Sequence, residues 1–140
     1  MQLTMTSPCP KCPFRTDIAP YLRASRAAEI ADGLTRLQGS FQCHATVDYS
    51  GDEPREDTPN AQHCAGALIV LERMNRPNQL MRWMERIGAY DRRGLQMDAQ
   101  VFASMRAFIA AHVASGRARP VARKADAKPS PRRRSKKGAK

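Results

Sequence analysis

The hydrophobic and polar positions divide the chain into an irregular front, several helical stretches and a polar end. Residues 1–20 show no periodicity, and Pro10, Pro13 and Pro20 each fix φ and remove a backbone donor there. From Ser25, which can cap a helix, apolar residues recur at helical spacing until Gly39, which is suited to end the helix. The apolar positions of this first helix are Ala28, Ile30, Ala31, Leu34 and Leu37.

The pattern beyond residue 40 predicts a short extended segment and three further helices. Residues 41–47 allow a brief strand or an extended segment. Cys64 opens an apolar helix that Pro77 interrupts, and Pro77 can itself take the first position of the next helix. The apolar positions of that helix are Leu80, Met81, Trp83, Met84 and Ile87. Asp98 is the expected N-cap of the last helix, which Gly116 ends. Its apolar stripe consists of Val101, Phe102, Met105, Phe108, Ile109, His112 and Val113.

These patterns predict a mainly α fold. We expect a small, metal-stabilised helical domain in residues 1–116, with an irregular cysteine-bearing N-terminal half, and a disordered basic tail in residues 117–140. Residues 48–62 hold five acids, two prolines and a glycine, so they are expected to form a solvated loop. A metal is expected because residues 1–65 contain few large aliphatic side chains, and buried apolar area contributes only about 25 cal/mol per Å².

The formal charge of +11 is concentrated in the tail. Residues 1–116 hold thirteen Lys or Arg and twelve Asp or Glu, whereas residues 117–140 hold eleven Lys or Arg and one acid, Asp126. Such a segment cannot bury enough apolar area to fold, and its cations favour binding to DNA or RNA by counterion release. RNA polymerase or another host protein is the other expected class of partner. The expected nucleic-acid contacts are Arg117, Arg119, Arg123, Lys124, Lys128, Arg132, Arg133, Arg134, Lys136, Lys137 and Lys140.

The sequence favours a location in the cytoplasm of a bacterial host cell. No run of 18 apolar residues predicts a membrane span, and the first ten residues lack the basic and apolar regions of a secretory signal. In a reducing compartment, cysteines are more often metal ligands or catalytic groups than disulfide partners.

Four cysteines form the main chemical signal: Cys9, Cys12, Cys43 and Cys64. The C-x2-C spacing of the first two places two thiolates close enough to share one metal, and the two single cysteines are the remaining thiols. Cys64 opens a helix, where the positive end of the dipole favours a thiolate. We therefore predict all four as metal ligands.

A 4Fe-4S cluster is the expected cofactor, with Zn²⁺ as the alternative. Structural zinc usually takes its ligands from two close pairs, whereas here twenty residues separate Cys43 from Cys64. Proline after a cysteine is also typical of ferredoxin-type cluster motifs. His44 and His63, each beside a single cysteine, are alternative ligands or hydrogen-bond donors to sulfur, and half-exposed polar residues are the competing interpretation. His112 is expected at the edge of the core.

Two kinds of enzyme site are less favoured by the same residues. A thioredoxin-like motif requires a helix directly after Cys12, where Pro13 stands. A nucleophilic site could combine Cys64 with His44 or His63, but no oxyanion loop accompanies them.

Three segments, CPKCPFR, FQCHATVDY and HCAGALIVLE, resemble a set of small uncharacterised proteins of bacteria and their phages with a CxxCPFR…CH…HCAG arrangement. The resemblance covers about residues 9–72 and implies a shared set of metal-type cysteines without an established activity. A four-cysteine site followed by a basic tail is also similar in layout to the WhiB-like iron–sulfur regulators, whose cysteine spacing differs.

Together these features predict a metal-binding protein that binds nucleic acid or regulates genes in bacteria or phages. Loss of an iron–sulfur cluster would then act as a redox or oxygen-sensitive switch, since the front half depends on it. One alternative is a zinc-stabilised module that contacts a host machine through Met81, Trp83 and Met84. Another is an iron–sulfur DNA-processing enzyme, which would need loop acids that show no motif spacing. Those acids are Asp48, Asp52, Glu53, Glu56 and Asp57.

Overall fold

The computed structural model describes residues 2–47 and 60–116. The helices in these ranges are α1 (Ala24–Thr35), α2 (Ala65–Arg73), α3 (Gln79–Arg86) and α4 (Met105–Ala114), with one 3-10 turn at Arg92–Gly94. Strand pairing in the same ranges is limited to isolated bridges of Gln2 with Gln62, Arg15 with Val101 and Gln42 with His63. The mainly α prediction is confirmed. No helix among the described residues has the length and apolar character needed to span a bilayer.

Helix α2 lies at the centre of the core. Every residue from Ala65 to Leu71 is buried, since apolar or small side chains occupy all sides of the helix rather than one stripe. The predicted opening at Cys64 is confirmed, because Cys64 is the N-cap residue. The four cysteines, Leu3 and Phe14 belong to the same buried cluster as α2, so the front segment and the helices share one core.

Helix α1 packs against α4 and differs from its prediction at both ends. Its buried positions are Ala27, Ile30, Ala31 and Leu34, and the predicted Ala28 is exposed. The predicted cap at Ser25 is wrong, because the helix already includes this residue and its N-cap is Arg23. Leu37 lies beyond the helix end and is 63% exposed. Gln38, with φ of 57°, takes the left-handed turn expected of Gly39.

Helix α4 begins later than predicted. Its N-cap is Ser104, whose hydroxyl accepts a hydrogen bond from the amide of Ala107, so the predicted cap at Asp98 is wrong. The preceding residues follow an irregular path because the guanidinium of Arg73 binds three backbone carbonyls there. These are the carbonyls of Met97, Ala99 and Val101.

Helix α3 is the most exposed of the four described helices. Asn78 caps it by accepting a hydrogen bond from the amide of Met81, so Pro77 precedes the cap instead of starting the helix. Met81 is its buried residue, whereas Trp83 is 64% exposed. The predicted apolar stripe is therefore only partly buried.

The front segment is held by an aromatic side chain and a buried histidine. Phe14 is fully buried and stacks on Phe108 of α4, with ring centroids 4.4 Å apart. Nδ1 of His112 accepts from the amide of Leu22 at 3.2 Å, and its Nε2 lies 3.3 Å from the carbonyl oxygen of Pro13. His112 is thus inside the core, where it connects α4 to the CPKCPF segment, and not at its edge as predicted.

Candidate metal centre

The first two cysteines lie on a tight turn. The amide of Cys12 donates to the carbonyl oxygen of Cys9 at 3.1 Å, and the amide of Arg15 donates to that of Cys12 at 3.2 Å. Both cysteine side chains are buried, whereas Pro10 and Lys11 are exposed. The turn therefore directs the two thiols inward, where each contacts a different single cysteine.

The two single cysteines are brought together by the bridge between Gln42 and His63. The amide of Cys43 donates to the carbonyl oxygen of Gln62, and the amide of Cys64 donates to that of Phe41, both at 2.8 Å. This pairing of two extended segments explains how residues far apart in the sequence become neighbours.

All four thiols are free and buried, and they form two pairs. The Sγ atoms of Cys12 and Cys64 lie 3.5 Å apart, and Cys9 and Cys43 interact as a second hydrogen-bonded pair. Cys43 also interacts electrostatically with Cys12 and Cys64, so the two pairs adjoin. Within residues 2–47 and 60–116, no three Cys, His, Asp or Glu side chains form a group that could hold a metal ion as they stand.

Backbone amides surround the sulfur atoms. Those of Phe14 and Gly66 hydrogen-bond to Cys12, that of Ala45 to Cys43 and that of Ala67 to Cys64. Because Cys64 caps α2, the amides of Gly66 and Ala67 belong to the first turn of that helix, where the dipole is positive. Amides that donate to sulfur stabilise the thiolate form that binds metals.

The pKa values of Cys12, Cys43 and Cys64 are shifted in different directions. The hydrogen bond from Cys64 lowers the pKa of Cys12, and the amides and the charge of Arg15 act in the same direction against burial. The contact with Cys12, followed by burial, raises the pKa of Cys64. Burial raises the pKa of Cys43 to about 11. The pKa of Cys12 is thus shifted toward the thiolate, whereas a metal would have to displace protons from Cys43 and Cys64.

Gly66 is the residue of this site that the sequence analysis missed. A Cβ at this position would lie 2.4 Å from Sγ of Cys12 and 3.1 Å from Cβ of Phe14. Any larger residue would enter the space that the sulfur occupies. The signal in the sequence was slight, since it consists of one glycine two positions after Cys64.

The two histidines beside the single cysteines use their ring nitrogens elsewhere. Nε2 of His63 accepts from the amide of Phe41 at 3.4 Å, so Nδ1 carries the proton that faces the carbonyl oxygen of Cys64 at 3.3 Å. Burial lowers the pKa of His63 to about 4 and keeps it neutral. Nδ1 of His44 lies 3.2 Å from the hydroxyl of Tyr21. Both ring nitrogens of His63 therefore face backbone groups, and Nδ1 of His44 faces Tyr21.

The other predicted site residues fall in ranges that the structure does not describe. The loop acids, from Asp48 to Asp57, lie within residues 48–59, and the basic residues from Arg117 to Lys140 lie within residues 117–140.

Comparisons with known proteins identify a family. Searches of curated proteins and of solved structures gave no match. The model of a family of unknown function, DUF6283, matches residues 4–125. Because this match includes the four thiols, all four described helices and most of the chain, the protein belongs to the DUF6283 family.

Proposed function

We propose that Cys9, Cys12, Cys43 and Cys64 bind a metal centre that stabilises a nucleic-acid-binding or regulatory protein. The observation that supports this most directly is the contact of Cys12 and Cys64 at the N-terminus of α2, with sulfur atoms 3.5 Å apart, next to the buried pair of Cys9 and Cys43. Four cysteines used only for packing would not need amides directed at sulfur.

The surroundings of the thiols fit a four-thiolate centre. The site combines amide donors, a helix N-terminus and the positive charge of Arg15, each of which offsets negative charge on sulfur. Gly66 keeps the space beside Cys12 free of a side chain. The proposal requires the pair of Cys9 and Cys43 to turn toward the pair of Cys12 and Cys64.

The short sulfur contact bears on the choice of metal. Two thiolates on one tetrahedral zinc lie about 3.8 Å apart, given a Zn–S bond of about 2.3 Å. The 3.5 Å between Cys12 and Cys64 is close to that spacing. A 4Fe-4S cluster would require the sulfur atoms to separate further, because each thiolate binds a different iron. Zinc therefore needs the smaller rearrangement, and the cluster would add redox chemistry.

Metal analysis of protein purified without oxygen tests the proposal. Iron, sulfide and zinc are measured on the same sample, together with the visible spectrum. About one zinc per chain in a colourless protein supports a structural site. About four irons and four sulfides in a brown protein support the cluster and a redox role. Protein without any metal after both zinc supplementation and cluster reconstitution contradicts the proposal.

Substitution of one ligand tests the four-thiolate arrangement. We expect Cys43→Ser to lose most of the metal and part of the helical circular dichroism, because three thiolates leave the centre incomplete. Ala28→Ser is the matched control, since it places the same hydroxyl on an exposed residue of α1 that takes no part in the site. Full metal content in Cys43→Ser would exclude Cys43 as a ligand.

Binding of nucleic acid by residues 117–140 is the second part of the proposal. Its support is the charge of the segment, with eleven Lys or Arg and one acid. Full-length protein with five substitutions is compared with wild type in a salt titration of DNA binding. We expect the slope of log K against log salt to fall by about four, because up to five phosphate contacts are lost. The substitutions are Arg132→Gln, Arg133→Gln, Arg134→Gln, Lys136→Gln and Lys137→Gln. An unchanged slope would show that this segment does not contact phosphate.

A further inference from the structure

The solvent side of α3 presents a basic row beside an apolar row. Successive residues of an α-helix turn by about 100°, so Arg82 and Arg86 form one row and Trp83 lies beside it. Ile87, the C-cap residue, follows four positions after Trp83. All four side chains are exposed, with Trp83 at 64% and Ile87 at 67%. We call these four residues the α3 face.

Positive charge is concentrated around this face. Residues 73–93 hold six arginines and two acids, whereas residues 1–116 as a whole are nearly neutral. Three of these arginines are engaged elsewhere: Arg73 binds backbone carbonyls, Arg92 pairs with Glu85, and Arg93 pairs with Asp91. In the described part of the chain, the remaining three make no ion pair. They are Arg76, Arg82 and Arg86.

A cleft extends the basic row toward α1. It has a volume of about 340 Å³ and is lined by Thr35, Gln38, Asn75, Arg76, Pro77 and Arg82. Arg82 belongs to both the cleft and the α3 face. A chain of phosphates that followed the arginines would therefore meet guanidinium groups and neutral hydrogen-bonding side chains, and no carboxylate lines the cleft.

We propose that the α3 face binds single-stranded nucleic acid, with a base stacked on Trp83 and phosphates contacted by Arg76, Arg82 and Arg86. Exposed aromatic rings beside basic side chains are the usual means of binding single strands without sequence selectivity. A duplex hides the faces of its bases, so it cannot use the indole in this way. The unpaired arginines favour a polyanion over a protein partner, which would use mainly the apolar row. The inference rests on the proposed nucleic-acid partner but places a contact on the helical body.

Fluorescence provides a direct test because Trp83 is the only tryptophan of the chain. Full-length protein is titrated with an oligothymidylate of about 15 nucleotides, a length within the range of known single-strand sites. We expect strong quenching of the indole emission that saturates with binding, and little quenching by a duplex of equal length. Binding of a labelled oligonucleotide gives the affinity independently of the tryptophan fluorescence.

Two substitutions separate stacking from charge. Trp83→Leu should weaken single-strand binding by about five-fold or more and leave duplex binding unchanged, since base stacking is removed. Arg82→Gln with Arg86→Gln should lower the salt slope of single-strand binding by about one to two. Arg23→Gln with Arg106→Gln is the matched control, because both arginines are exposed and neither lies on α3. Circular dichroism and metal content establish that the variants are folded.

The possible outcomes distinguish this proposal from the earlier ones. Binding of oligothymidylate without quenching, at an affinity that the α3 substitutions do not change, would overturn the α3 face and leave the basic tail as the binding element. Absence of all nucleic-acid binding would overturn both. Loss of binding to a protein partner in Trp83→Leu, without quenching by nucleic acid, would identify the face as a protein contact and also overturn the proposal.

Discussion

The CPKCPF segment and helix α3 show opposite relations between regular structure and burial. Residues 9–14 form no helix, yet Cys9, Cys12, Pro13 and Phe14 are buried. Helix α3 is regular, yet among its residues only Met81 is fully buried. A helix satisfies its backbone internally and can lie on the surface, whereas the front carbonyls need distant partners such as the amide of Phe102. In this protein, burial of a segment follows from its tertiary contacts and not from its regularity.

The largest effect on stability is expected when one aromatic residue of the CPKCPF segment is compared with one of α3. Phe14→Ala should lower the free energy of unfolding by about 3–5 kcal/mol, because it removes a fully buried ring stacked on Phe108. Trp83→Ala removes a larger side chain that is 64% exposed, and it should change stability by less than about 0.5 kcal/mol. Urea unfolding followed by circular dichroism measures both. Similar losses of unfolding free energy in the two variants would show that the two regions do not differ in burial as described.

The second prediction compares alanine substitutions of two glycines, whose effects on the free energy of unfolding should have opposite signs. Gly66→Ala should destabilise the protein by about 1–3 kcal/mol, since the new Cβ would lie 2.4 Å from Sγ of Cys12. Gly33→Ala, in α1 with no atom within 4 Å of the new Cβ, should stabilise it by about 1 kcal/mol through helix propensity. Thermal unfolding and metal content are measured together. A stabilised Gly66→Ala with full metal content would show that the sulfur can move away without cost.

The smallest effect concerns how α3 is attached. Asn78 caps α3, and its side-chain amide donates to the carbonyl oxygen of Gly39 at 2.7 Å. Asn78→Ala should cost up to about 2 kcal/mol, against about 1 kcal/mol for Ser104→Ala, which removes a cap alone. Hydrogen exchange should become faster in α3 specifically. Equal costs for the two caps would mean that the bond to Gly39 contributes nothing.

The sequence predicted the helices better than their ends. Local signals were sufficient here: an apolar run before Pro77 located α2, and helical periodicity located the buried positions Met105 and Phe108 of α4. The predicted N-caps at Ser25 and Asp98 were wrong. A side chain that can cap a helix does so only where the backbone begins a helix at that residue. Around Asp98 that backbone is determined by Arg73, 25 positions earlier in the chain, through bonds that no local pattern reveals.

The cysteines were predicted as one group, and the structure places them in two adjoining pairs whose surroundings depend on the fold. The bridge of Gln42 with His63 brings the backbones of the two single cysteines near each other, and Gly66 and Phe14 supply amides to the sulfur of Cys12. None of these relations follows from spacing. Metal binding itself stays a prediction. The spacing of the cysteines favours a 4Fe-4S cluster, whereas the 3.5 Å contact between Cys12 and Cys64 favours zinc.

The same bridge has a consequence for how the chain can be altered. The hydroxyl of Thr46 accepts a hydrogen bond from the amide of Gln62 at 3.0 Å. This bond holds together the residues on either side of the segment between them. Doubling the length of a segment closed in this way costs only about 0.6 kcal/mol of entropy. A peptide tag inserted between Thr46 and Gln62 should therefore cost little stability, provided that this hydrogen bond and the bridge of Gln42 with His63 persist.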